Sequence, residues 1–190
     1  GIDTRFVFAA PGVASGTALI LVGAAGENYI AVAPGANARL TPDGVDGALE
    51  AIDAASIVVT QCEIPPDTLE HVVALAARMG KPVLLNLAPA RPLGGDALSK
   101  LSMLAVNETE AEFLTGKTDI FEAARFYASL GPKEIVLTHK DGVLIHAGAL
   151  TRLYVKVLLG AAGSMSLPAA VTLSVPPWFS TTLPMNASVG

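Results

Sequence analysis

The chain has 190 residues, of which 52% are hydrophobic and 15% are charged, and its formal net charge is −5 at pH 7. This length suits one compact domain or a large part of a bigger one. An acidic chain gives no reason to expect a nucleic-acid partner. Cys62 is the only cysteine, so an internal disulfide is impossible, and we expect a reduced, cytoplasmic setting.

The first part of the chain is predicted to form strands. Residues 5–10, 17–22 and 29–33 are rich in β-branched and apolar side chains, and a glycine-rich turn separates the last two runs. These two runs predict a hairpin. Nothing in the sequence of the hairpin itself covers both of its faces, so we expect it to pack on something else.

Strands and helices are then predicted to alternate. Residues 41–54 predict a helix that is weakened by Gly44 and Gly47, and the apolar run 56–61 predicts a parallel strand buried on both faces. The next predicted elements are a helix at 65–79, a strand at 82–85, a helix at 96–101, a strand at 103–106, a helix from 107, a helix at 119–130 and a strand at 133–138. This order indicates right-handed βαβ crossovers and a parallel sheet. Residues 143–146 and 151–157 are predicted to be strands that pair with each other.

The stretch Asn107-Glu-Thr-Glu110 lies where a short strand runs into a helix. A helix N-terminus at the carboxyl end of a strand binds anionic ligands in open α/β sheets. Asn107 and Glu110 are three residues apart, so both side chains can face the same crevice. The alternative is a capping box, in which these two residues cap the helix without any ligand.

Glu63 follows another predicted buried strand, and the same rule places it in a ligand crevice. A carboxylate there can accept strong hydrogen bonds from a sugar hydroxyl. The alternative is an exposed loop glutamate that precedes a helix. No Cys and His cluster has metal-ligand spacing, and the three histidines are interpreted as structural or solvated: His71, His139 and His146.

Several stretches together resemble the ribokinase family of PfkB-type carbohydrate kinases, in the family's order. They are Pro34-Gly-Ala-Asn-Ala-Arg-Leu-Thr-Pro42, Gln61-Cys-Glu63, Leu85-Asn-Leu-Ala-Pro-Ala90 and Asn107-Glu-Thr-Glu-Ala-Glu112 with Leu114-Thr-Gly116. The resemblance implies a ribokinase-like α/β fold, with a mainly parallel sheet flanked by helices and a small β lid. It assigns residues 1–38 to the lid strands and their connection, and residues 39–157 to a partial, truncated core.

The resemblance also implies a reaction and its site. The intact protein would transfer the γ-phosphate of ATP to a sugar hydroxyl with Mg²⁺, and the family also uses a monovalent cation. D-ribose giving ribose 5-phosphate is the expected reaction, and fructose and nucleosides remain alternatives. Glu63 would contact the sugar, Asn107 and Thr138 the nucleotide, and Glu110 the magnesium through its waters. A homodimer through the lid is possible, and no nucleic-acid or membrane partner is expected.

Two motifs of the family are missing from the sequence. The Gly-Gly sugar motif would precede Gly1, and the Gly-Ala-Gly-Asp motif with the catalytic base should follow Val157, yet no Asp or Glu occurs after Asp141. We therefore assign no catalytic residue and expect a fragment. Two other interpretations stay open, namely an inactive remnant that at most binds nucleotide or a partner, and an unrelated α/β binding domain.

The last part of the sequence, residues 158–190, contains no charged residue. One set of codons for Ser164-Met-Ser-Leu-Pro-Ala169, read with a shift of one nucleotide, spells Asp-Val-Phe-Ala-Gly. Because this is the family's expected continuation, a frameshifted gene would explain both the composition and the missing base. We expect poor order in this tail. Its apolar run is interrupted by Ser164, Ser166 and Pro168, so we predict no membrane span.

Overall fold

A computed structural model describes residues 1–24, 28–139, 142–148 and 150–155 of the chain. The strands are β1 (Thr17–Val22), β2 (Asn28–Ala33), β3 (Val58–Gln61), β4 (Val83–Asn86), β5 (Met103–Asn107), β6 (Glu134–His139), β7 (Gly142–Ala147) and β8 (Leu150–Val155). The α-helices are α1 (Pro42–Asp46), α2 (Leu49–Ala54), α3 (Pro66–Arg78), α4 (Gly95–Ser99), α5 (Glu108–Thr115) and α6 (Ile120–Ser129), and a 3-10 helix spans Gly35–Arg39.

Six strands form one sheet in the order β3-β4-β5-β6-β7-β8. The strands from β3 to β6 are parallel, whereas β7 and β8 are antiparallel to their neighbours. Helices connect the parallel strands, as βαβ crossovers require. The predicted mainly parallel sheet flanked by helices is therefore confirmed, and the carboxyl ends of its four parallel strands lie along one edge.

The core of this sheet lies in its central strands, where large aliphatic side chains are wholly buried. Leu85, Leu104 and Ile135 come from three adjacent parallel strands, and each is 0% exposed. Helix α3 covers the sheet with its predicted apolar face, which is buried at Leu69, Val72, Val73 and Ala76. Burial of one such leucine or isoleucine stabilises the fold by about 1.5–3 kcal/mol.

Strand β3 differs from its prediction. The apolar run at 56–61 was expected to be buried on both faces, but Val59 is 67% exposed and Ile57 is also exposed. The reason is position, because β3 is the first strand of the sheet and pairs with β4 alone. Within the described part of the chain, no element covers the face on which Val59 lies.

Two further predictions fail near the N-terminus. Residues 5–10 form no strand, and Val7 N–H instead donates to the Thr4 carbonyl in a turn, at 3.0 Å. A lone extended segment without a neighbouring strand leaves its backbone groups unpaired. The helix predicted at 41–54 begins as expected with Thr41 as its cap, but it breaks into α1 and α2 at Gly47, where glycine weakens a helix interior.

The predicted hairpin is confirmed, and β1 and β2 pair antiparallel with Ile20 opposite Ile30. All residues of both strands are exposed. At the base of the hairpin the Ala36 N–H donates to the Ala14 carbonyl at 2.9 Å. Gly35 makes this contact possible, because its φ is +52° and a Cβ there would approach the Ala14 oxygen to 2.5 Å. The segments just before and just after the hairpin are therefore joined by this hydrogen bond, and we call the contact between Ala14 and Ala36 the closed neck of the hairpin.

The predictions for residues 158–190, including their order and the frameshift, lie outside the described residues. Among the residues that the structure describes, no helix has the length and apolar character needed to cross a membrane.

Candidate functional site

An open pocket of about 270 Å³ lies at the carboxyl ends of β5 and β6. Asn107 and Thr138 stand opposite each other in these two parallel strands, so the sheet register places both in this pocket. The lining residues are Asn107, Glu108, Thr109, Thr138 and His139. This is the edge at which open α/β sheets bind ligands.

A reciprocal pair of hydrogen bonds joins Asn107 and Glu110. The Glu110 N–H donates to Asn107 Oδ1 at 2.7 Å, and the Asn107 N–H donates to Glu110 Oε2 at 2.9 Å. This is a complete capping box, so the structural interpretation of the motif is confirmed. Asn107 lines the pocket, whereas Glu110 turns toward the backbone of Asn107 and is not among the lining residues. Capping therefore fixes the side chain that faces the pocket.

The charges around the pocket restrict what it can bind. Glu108 and Glu110 both lie in the first turn of α5, where their negative charges interact favourably with the positive end of the helix dipole. The same carboxylates repel a bare polyphosphate. A phosphate ligand therefore fits this pocket best when a divalent cation accompanies it.

The described residues contain no cluster of three or more metal-ligating side chains. A magnesium ion at this pocket would take most of its ligands from phosphate oxygens and water, as Mg²⁺ commonly does. Glu110 Oε2 accepts the capping bond, and a carboxylate keeps further acceptor capacity for a metal-bound water. The side chains present fit such a water-mediated role.

Glu63 lies at the same edge of the sheet but outside the pocket. It is exposed just beyond β3, and its backbone N–H donates to the side-chain Oε1 of Gln61. Strand β4 separates β3 from β5, which puts about 10 Å between the ends of these two strands. The structure thus brings Asn107, Glu110 and Thr138 together and leaves Glu63 two strands away.

The loops after β3 and β4 are tied together beside Glu63. The Cys62 N–H donates to the Ala88 carbonyl at 3.1 Å, and Arg91 Nη1 donates to the Ile64 carbonyl at 3.1 Å. Cys62 is a buried free cysteine. Burial raises the pKa of its thiol, and the nearby Arg91 guanidinium opposes this shift.

Tyr127 of α6 connects the site to the core. Its side chain is 3% exposed, and its hydroxyl has no hydrogen-bond partner in the described part of the chain. Burial, together with the smaller effect of the negative charge of Glu110, raises the pKa of Tyr127 to about 12. The negative charge of Glu110 therefore acts on a buried group of the core as well as near the pocket.

Sequence reasoning missed three residues of the pocket: Glu108, Thr109 and His139. The signal was available, because each directly follows or nearly follows a predicted site residue. Once Asn107 and Thr138 are paired in parallel strands, the residues after them lie at the same mouth. His139 therefore lines the pocket, which the interpretation of the histidines as structural or solvated did not predict.

Comparison with known proteins agrees with this architecture. The sequence profile of the pfkB family carbohydrate kinases matches residues 1–152. The chain is 35% identical to ribokinase of Staphylococcus aureus (strain COL) over 142 residues, which cover 72% of this chain and 47% of that protein. It is 36% identical to deoxyribokinase of Salmonella typhi over 144 residues, covering 73% of this chain and 47% of that protein.

The structure is similar to that of Arabidopsis thaliana ribokinase complexed with ribose and ATP, with a TM-score of 0.64 and 27% identity. That match covers 76% of this chain and 49% of the Arabidopsis chain. The chain spans about half the length of these relatives. The match of the family profile over most of the sequence, together with the ribokinase-like sheet, shows that the chain belongs to the pfkB family of carbohydrate kinases.

Proposed function

We propose that the protein is an ATP-dependent sugar kinase that converts D-ribose to ribose 5-phosphate. The observation that carries this proposal is the pairing of Asn107 and Thr138 in one pocket at the N-terminus of α5. Relatives named ribokinase, and one solved with ribose and ATP, support the choice of substrates. The relative named deoxyribokinase makes 2-deoxy-D-ribose the first alternative sugar.

In this proposal the pocket receives the nucleotide phosphates. The free N–H groups of the first turn of α5 and the side chains of Asn107 and Thr138 hold the phosphates in place. Bound magnesium supplies charge neutralisation of the transferring phosphoryl group. Glu110 would hold a water bound to that metal, and use of a monovalent cation, as in the family, is part of the proposal. Positioning of this kind accounts for much of the catalysis of phosphoryl transfer.

Glu63 is proposed to bind the sugar. Its exposed carboxylate, beyond the end of β3, can accept hydrogen bonds from sugar hydroxyls. One strand, β4, separates the strand before Glu63 from the strand that ends at Asn107, so sugar and nucleotide occupy neighbouring but distinct places along one edge of the sheet. We assign no catalytic base, because the sequence contains no Asp or Glu after Asp141.

The test is a set of binding and turnover measurements on the purified chain. We expect the chain to bind MgATP, and Asn107→Ala and Thr138→Ala to weaken nucleotide binding while D-ribose binding is unchanged. Glu63→Gln should weaken D-ribose binding with no effect on MgATP. Glu112→Gln is the matched control, since Glu112 is an exposed glutamate on α5. A chain that binds neither ligand would contradict the proposal.

The second candidate is a catalytically inactive remnant that at most binds nucleotide or a partner. The sequence observation that favours it is the lack of any acidic residue after Asp141. ADP release measured with D-ribose, 2-deoxy-D-ribose, fructose and nucleosides separates the two functions. Turnover that disappears in Glu63→Gln would exclude the remnant, whereas nucleotide binding without turnover would support it. The cytoplasmic setting stays a prediction from the single cysteine.

We further propose that the β1–β2 hairpin pairs with the same hairpin of a second copy. Ile20 and Ile30 lie on one face of the hairpin, and Leu21 and Tyr29 lie on the other, and all four side chains are exposed. One face can cover the sugar and the other can bind the second copy, which would remove both apolar faces from water. Sedimentation should show a dimer that Ile20→Lys disrupts and that Thr17→Lys, at the base of the hairpin on the face opposite Ile20, leaves intact. A wild-type chain that is monomeric at all concentrations would refute this pairing.

A further inference from the structure

We propose that Arg91 is a positioning residue that holds Glu63 in place for the sugar. The inference rests on the proposed function, because it concerns the same sugar site. Arg91 lies in the loop after β4, and Glu63 lies in the loop after β3. Arg91 Nη1 donates to the Ile64 carbonyl, the peptide group directly after Glu63.

Three contacts fix the backbone around Glu63. Gln61 Oε1 accepts from the Glu63 N–H, the Ala88 carbonyl accepts from the Cys62 N–H, and Arg91 holds the Ile64 carbonyl on the other side. Of these three contacts, the one from Arg91 is made by a long side chain of another loop. Among the described residues, the exposed Glu63 side chain forms no hydrogen bond with the loop after β4. Its direction therefore depends on the backbone that Arg91 restrains.

The energetics of Arg91 point to placement rather than stability. Nε and Nη2 of its guanidinium are buried and make no hydrogen bond of ordinary geometry among the described residues, although the Arg91 side chain interacts with the Cys62 thiol. Leaving buried donors of a charged group unpaired is unfavourable, so burial of this arginine costs free energy of folding that the single bond between the two loops does not recover. An uncharged side chain of similar length would cost the fold little, and it would lose the bond to Ile64.

Cys62 provides a second report on this loop, one that does not depend on sugar binding. It is the only cysteine of the chain, it is 4% exposed, and it lies one residue before Glu63. Burial raises the pKa of the Cys62 thiol, and the Arg91 guanidinium opposes that shift. Release of the loop would expose the thiol to a labelling reagent, whether or not the protein binds sugar.

The experiment compares Arg91→Met with the wild-type chain in four measurements: the labelling rate of Cys62, the dissociation constants for D-ribose and MgATP, and the midpoint of thermal unfolding. We expect about tenfold faster labelling because the released loop exposes the thiol, although loss of the guanidinium charge by itself would slow labelling. We expect about tenfold weaker D-ribose binding, because displacement of a positioned group by about 1 Å can cost up to about 100-fold. MgATP binding and the unfolding midpoint should be unchanged. Arg91→Lys should lie between the two, since one ammonium cannot reproduce the guanidinium geometry.

The control variant is Arg125→Met, which removes an exposed arginine of α6 and should change none of the four measurements. Unchanged Cys62 labelling in Arg91→Met would overturn the proposal. Loss of D-ribose and MgATP binding together with a lower unfolding midpoint would also overturn it, because that pattern describes general destabilisation. If the wild-type chain binds no D-ribose, the proposed function fails by itself, and the labelling rate alone decides whether Arg91 holds the loop.

Discussion

The six-stranded sheet and the β1–β2 hairpin are both rich in aliphatic side chains, but they place them in opposite environments. Leu85 in the centre of the sheet is 0% exposed, whereas Ile20 in the hairpin is 55% exposed. The sheet obtains its burial from the helices that its own chain supplies. In the described residues, each strand of the hairpin pairs with the other strand alone, and no helix or further strand covers either face.

This difference shows that the same amino-acid types can serve two purposes in one chain. Aliphatic residues that the chain covers by itself contribute to its stability. Aliphatic residues that it leaves open on both faces of a hairpin contribute little until another surface meets them. A ligand, a second copy or another part of a longer protein would be such a surface.

The strongest test of the comparison is a pair of alanine substitutions. Leu85→Ala should lower the free energy of unfolding by about 2–5 kcal/mol, because it leaves a cavity in a closed core. At protein concentrations low enough for the chain to be monomeric, Ile20→Ala should change it by less than about 0.5 kcal/mol, because the side chain is exposed in the single chain. Urea denaturation monitored by circular dichroism gives both values. Equal losses in the two variants would show that the hairpin is covered in solution.

A second test sharpens the comparison within the sheet, where Asn107 both caps α5 and lines the pocket. Asn107→Ala should cost about 1 kcal/mol of stability through loss of the cap, and it should also weaken nucleotide binding. Asp119→Ala is the matched control, since Asp119 caps α6 by accepting from the Glu122 N–H at 2.8 Å. It should cost a similar amount of stability and leave nucleotide binding intact. If both variants bind nucleotide equally well, Asn107 serves as a cap alone.

The smallest effect concerns Tyr127, whose buried hydroxyl lacks a partner in the described chain. Its pKa is raised from 10.0 to about 12 in the fold, so the folded state keeps the proton longer than the unfolded state does. The associated stability is present below pH 10 and is lost as the pH rises toward 12. Tyr127→Phe should therefore unfold at a higher alkaline pH.

At pH 7 the same Tyr127→Phe variant should match the wild-type chain to within about 1 kcal/mol, because removing an unpaired buried hydroxyl is nearly neutral. Alkaline titrations of both proteins, followed by circular dichroism, measure this difference. Identical alkaline midpoints would show that the Tyr127 hydroxyl does not control unfolding at high pH.

Local sequence patterns predicted much of the sheet and half of the site. The spacing of apolar residues placed α3 and its buried face, and the Asn-x-x-Glu pattern placed the start of α5 at Asn107. Thr138 was predicted from the resemblance to the family, and the parallel register places it opposite Asn107. The helix and its cap depend on interactions within a few residues, which is why local patterns reveal them.

The remaining features depend on neighbours that the sequence does not specify. The segment 5–10 has strand-forming composition but no partner strand, and β3 has an apolar run but lies at the edge of the sheet. The link from Arg91 to Ile64 joins residues that are 27 positions apart, so no local pattern reveals it. Tertiary context overrides propensity in each of these cases.

The closed neck of the hairpin has a consequence for engineering this fold. Because the Ala14 carbonyl and the Ala36 N–H are 2.9 Å apart, residues 16–34 form a loop whose two ends already meet. Such a segment can be exchanged or excised with little change in the path of the rest of the chain. Replacing it by a short Gly-Ser linker should preserve the thermal unfolding midpoint, and an unfolded product would show that the sheet needs its hairpin. Gly35 would have to be kept in such a replacement, because the contact at the base of the segment leaves no room for a side chain there.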